Sequence, residues 1–68
     1  MSLFDSYPSL RQVIVNLKGG DSFRGVLWRK RRSYLVLRQA VMLRSEKALP
    51  VDGEVLVFIP EISFMQVL

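Results

Sequence analysis

Four consecutive cations, Arg29-Lys30-Arg31-Arg32, stand between Trp28 and Tyr34, and no other stretch of this sequence is so well supplied for chemistry. Guanidinium groups pair with phosphate oxygens, and indole or phenol rings offer faces on which bases stack. Trp28, Arg29, Lys30, Arg31, Arg32 and Tyr34 are therefore candidate nucleic-acid contacts. The plainer use of such a run is a solvated turn whose charges keep a strand edge from aggregating. Trp28 and Tyr34 likewise have two uses, base stacking or cover for the second side of a sheet. Arg24, Arg38 and Arg44 stand singly and read as surface charges.

Catalysis lacks its usual parts. His and Cys are both absent, which removes the ordinary general base near neutral pH and the thiol nucleophile. The six carboxylates are scattered, mostly in turns, and Asp52 with Glu54 is too thin a set for a metal. Gly19, Gly20 and Gly25 precede no helix and so form no phosphate-cradling loop. The chain is expected not to be an enzyme and to use no metal, cofactor or small-molecule substrate.

The elements that must hold the basic run are β-strands by period. Gln12 to Leu17 alternates, with Val13, Val15 and Leu17 on one face and Ile14 and Asn16 on the other. Lys18-Gly19-Gly20-Asp21 is a hairpin signal, since primed two-residue turns need positive φ. A second strand begins at Ser22, with Phe23, Gly25 and Leu27 on one face; a glycine inside a strand predicts a sharp bend or bulge. The basic run forms the tip of the next hairpin, and Tyr34 to Arg38 resumes the alternation. Phe23, Leu27, Leu35 and Leu37 are assigned to the core.

Ala40 to Gly53 is less regular: Val41, Met42 and Leu43 can extend the third strand, while Pro50, Asp52 and Gly53 carry turn chemistry. Glu54 to Ile59 is apolar on both faces and predicts a strand covered on both sides. Pro60-Glu61 leads into a last strand, Ile62 to Leu68. Ahead of the strands, Ser2 to Gln12 has helical spacing broken by Pro8. The expectation is one all-β domain over 1–68, a small barrel with a helical segment at 1–11 and five strongly bent antiparallel strands over 12–68.

So small a domain buries only about 60% of its unfolded surface. Disulfides and metals are excluded, yet half the residues are hydrophobic, so the surplus apolar surface predicts self-association. The formal net charge is +4, and most of the cations are Arg, a balance that attracts polyanions. No apolar run approaches the roughly 20 residues of a membrane span, and Met1 to Leu10 has no secretory pattern, so a soluble, cytoplasmic protein is expected.

In its order of residues the chain resembles the Sm and LSm family, including its bacterial host-factor type. The first motif is matched by Val13, Val15, Leu17, Gly20, Phe23, Gly25 and Leu27, then Leu35, Leu37 and Ala40; the second is matched in shape by Glu54 to Met65. The resemblance implies an Sm-like barrel that assembles into a ring, a hexamer or heptamer, with the fourth strand of one subunit pairing with the fifth of its neighbour. It puts Leu56, Phe58, Ile59, Ile62, Phe64 and Met65 at the subunit interface and turns the basic tip toward the pore. Two departures stand out. Arg31 and Tyr34 occupy the neighbourhood of the family's uridine-binding Asp and Asn, and Ile59-Pro60-Glu61 replaces its Arg-Gly pair.

The function so indicated is binding of single-stranded RNA by a ring of these subunits, with Arg29 to Arg32 on phosphates and Trp28 or Tyr34 on bases. Single-stranded DNA would fit the same loop. The alternative is an assembly module that keeps the barrel but uses its apolar edges for a protein partner.

Overall fold

The structure, a computed structural model, describes residues 10–68. The chain runs through β1 (Gln12–Leu17), β2 (Ser22–Lys30), β3 (Tyr34–Arg44), β4 (Lys47–Pro50) and β5 (Val55–Phe58), then a single 3-10 turn (Ile59–Glu61) and β6 (Ile62–Val67). All pairings are antiparallel, in the order β4-β3-β2-β1-β6, with β5 also on β3. β3 is long enough to carry β4 on one half, opposite Val41 to Arg44, and β5 on the other, opposite Tyr34 to Leu37. The helical segment expected over 1–11 lies outside the described residues apart from its end. There, Leu10 and Arg11 exchange backbone hydrogen bonds with Leu27, as an extension of the β1–β2 ladder.

Six strand segments stand where five were expected, because the stretch read as irregular holds a hairpin. β3 continues to Arg44 and β4 returns across a two-residue turn, Ser45-Glu46, both at positive φ (47° and 67°). Left-handed residues are what a primed hairpin turn requires, but Ser and Glu supply them without the usual Gly or Asn. The chain then leaves the ladder at Asp52-Gly53, with Gly53 at φ 77°, and rejoins β3 as β5. That gap lies beside Gln39, itself at φ 52°, so the interruption coincides with an irregularity in β3.

Bending comes from β2. Its register against β3 slips between Arg24 and Val26 and again between Leu27 and Arg29, and a slip of this kind locally increases twist. Gly25 marks the first slip: a Cβ there would lie 3.1 Å from both the Ala40 Cα and the Arg38 carbonyl oxygen. Only the absence of a side chain lets β2 and β3 approach this closely.

The curled sheet encloses Val13, Val15, Leu27, Leu35, Leu37, Ala40 and Val57, with Leu17, Phe23, Val55, Ile59, Ile62, Met65 and Val67 packed around them. Phe23 is thus at the margin of the core rather than inside it. β5 is covered on one side only: Val57 is buried against the core, while Leu56 and Phe58 are 48% and 53% exposed. The expectation of a strand covered on both sides is not met within one chain.

Candidate nucleic-acid interface

Three connections meet at one end of the barrel. The β2–β3 turn closes with the Arg31 N–H donating to the Tyr34 carbonyl at 2.8 Å. Beside it the Ile59 N–H donates to the Ser33 carbonyl at 2.9 Å, and at the far end of the same 3-10 turn the Lys18 N–H donates to the Glu61 carbonyl at 2.8 Å. Ile59-Pro60-Glu61 therefore bridges from the basic turn to the β1–β2 turn. Pro60 suits this because it lacks an N–H that would need a partner.

On this base stand Arg29, Arg31 and Arg32, all exposed, with half-buried Lys30 among them. Two other arginines are held by carboxylates. Arg38 Nη2 is 2.7 Å from Glu54 Oε2, and Arg44 Nε is 3.3 Å from Asp21 Oδ1. Asp21 and Glu54 are thereby paired with arginines outside the basic run, and Arg29, Arg31 and Arg32 project from it as exposed cations. Arg38 and Arg44, read singly from the sequence, are each held by a carboxylate; partners distant in sequence leave no local signal.

The two aromatics separate from the cations in different ways. The Arg38 guanidinium lies 3.9 Å from the centroid of the Trp28 ring, and its Nε and Nη2 pair with Glu54 Oε2. Trp28 thus lies under an arginine that a carboxylate holds, on the part of β2 that the second register slip leaves unpaired. Tyr34 sits at the turn, but its ring meets Phe58 edge to face, with centroids 5.9 Å apart and planes at 62°. Each ring named as a possible base platform is half-buried and has one such neighbour.

The six residues assigned to a subunit interface divide by exposure. Leu56, Phe58 and Phe64 point outward, Phe64 at 57% exposed, whereas Ile59, Ile62 and Met65 pack against the core. Among the described residues, both strands that carry them have a bare edge, since β5 pairs only with β3 and β6 only with β1. An open groove also lies along Arg38, Gln39 and Val51 to Glu54. Among the described residues, no group of acids could hold a metal ion, and no helix is long and apolar enough to cross a membrane.

No protein-family model matches the chain, and neither does any curated protein. Solved structures do match. A heptameric archaeal Sm protein superposes with a TM-score of 0.82 at 24% identity, covering 97% of this chain and 94% of that one. The heptameric Sm protein of P. aerophilum gives the same score and identity, covering 97% of this chain and 86% of that one. The antiparallel, sharply bent sheet described above is therefore the Sm fold.

Proposed function

We propose that this chain assembles into a closed homo-oligomeric ring and binds single-stranded RNA through the basic β2–β3 turn that each copy presents toward the pore. The observation that carries the reading is a pair of free strand edges, β5 and β6, each bearing exposed large apolar side chains. An unpaired strand edge is normally blunted by charge or Pro. β4 is blunted in that way, with Lys47 at one end and Pro50 at the other. β5 and β6 read Val-Leu-Val-Phe and Ile-Ser-Phe-Met-Gln-Val and carry no charge at all.

Pairing β5 of one copy with β6 of the next would satisfy both ladders and cover Leu56, Phe58 and Phe64. Because the two surfaces differ, the joint is head-to-tail, and head-to-tail joints close into rings when the rotation permits. Six or seven copies are proposed, seven being the number in both structural neighbours. A ring repeats Arg29, Lys30, Arg31 and Arg32 once per copy, so that a weak contact gains by effective concentration. With RNA as partner, the expected compartment is the cytoplasm.

Fluorescence anisotropy with a labelled U-rich strand of about 15 nucleotides tests the RNA half. Saturable binding is expected at roughly 50 mM salt. If about six phosphates are neutralised, affinity falls by roughly 300-fold between those conditions and about 200 mM. Exchange of Arg29, Arg31 and Arg32 for Ser should abolish binding without changing the mass of the assembly. An oligomeric wild-type chain that leaves the strand unbound at the lower salt contradicts the reading.

A further inference from the structure

We infer that the basic turn grips the phosphate backbone alone and reads no base, so that the ring holds single-stranded nucleic acid irrespective of sequence. The inference rests on the proposed function and specifies what that site recognises. Base discrimination needs either donors and acceptors aimed at base edges or aromatic faces free to stack. Among the described residues, the end of the barrel that carries the turn offers few of either.

Several backbone groups of the turn are already used. The Arg31 N–H is used within the turn, the Ser33 carbonyl and Ile59 N–H are used on each other, and Pro60 has no N–H. Among side chains, the only neutral hydrogen-bonding groups from Arg29 to Tyr34 are the Ser33 hydroxyl and the Tyr34 phenol. The facing Ile59-Pro60-Glu61 segment adds one carboxylate and no donor. As for stacking, the Tyr34 ring is paired with Phe58, and Trp28 has one face under a guanidinium that Glu54 holds at 2.7 Å. Projecting outward from the turn are the guanidinium groups of the exposed Arg29, Arg31 and Arg32. Guanidinium groups match phosphate oxygens in geometry as well as in sign, and a phosphate is presented by every nucleotide.

The experiment compares three labelled strands of equal length on the wild-type protein at fixed low salt: oligo(U), oligo(A), and a wholly abasic deoxyribose-phosphate strand. A single base stacked on an aromatic ring is worth roughly fivefold or more in affinity, so base contacts repeated around a ring would separate the probes widely. The inference expects dissociation constants within about threefold of one another and parallel salt slopes. Ser33→Ala and Tyr34→Phe, which delete the two neutral hydroxyls but keep the Phe58 ring contact, should leave all three values in that range. If the abasic strand binds tenfold or more weakly, or one base is preferred by that factor, the inference falls while RNA binding stands. If none of the three binds, the proposed function falls and the inference with it.

Discussion

Gly25 is the residue on which the curvature depends. A methyl group placed there meets backbone atoms of Arg38 and Ala40 at 3.1 Å, and backbone in a paired strand cannot swing aside as a side chain can. Gly25→Ala is therefore expected to destabilise the fold by about 1–3 kcal/mol, seen as a lower thermal midpoint in circular dichroism. The opposite sign is expected at the β3–β4 turn. Ser45 and Glu46 both adopt left-handed conformations that their side chains disfavour, so Ser45→Asn with Glu46→Gly should stabilise by on the order of 1 kcal/mol. An unchanged or lower midpoint for that pair would mean the turn is held by something other than its own φ preference. Residues of this kind differ in how far the sequence reveals them. The bend at Gly25 is legible because a glycine interrupts an alternating strand; the turn at Ser45-Glu46 is not, because neither residue type announces positive φ. Arg38 is similar: its partners Trp28 and Glu54 lie ten and sixteen positions away, and only the paired strands bring them together.

Strand edges carry the argument at the next scale. β1 to β3 were legible from period alone, since one face of each is buried and a one-residue slip would expose it. β4 was not, because all four of its residues are exposed and no alternation marks it. The β5 run is plainly apolar in the sequence and predicts a strand covered on both sides, whereas the structure leaves its outer face bare. Apolar character in a sequence does not say whether a residue is covered within its own chain. Two substitutions separate the edges. Phe64→Lys puts a charge on the uncharged β6 edge and should release subunits that still fold, with native-like circular dichroism but a monomer's sedimentation coefficient. Leu49→Lys, on the already blunted β4, should leave sedimentation as in the wild type. The same result for both would detach assembly from the β5 and β6 edges.

At the scale of the whole molecule, a small core and an uncovered apolar strand are two sides of one property. With Leu56, Phe58 and Phe64 exposed in the isolated chain, the proposed assembly would supply burial that the barrel does not provide by itself. The thermal midpoint should accordingly rise with protein concentration, and Phe64→Lys should remove that dependence. Charge follows the same division. Asp21 and Glu54 pair with Arg44 and Arg38, whereas Arg29, Arg31 and Arg32 stand exposed at one end, where the proposed ring would gather them around a common axis. The basic turn was visible in the sequence as a run of cations, whereas the engagement of its flanking aromatics was not, because ring contacts depend on β5 and on the two register slips of β2. Ring formation is thus the claim on which the others depend, and native mass spectrometry of the wild-type chain tests it most directly. A dominant species at six or seven times the 7.9 kDa of one chain is predicted, and a monomer at micromolar concentration would contradict it.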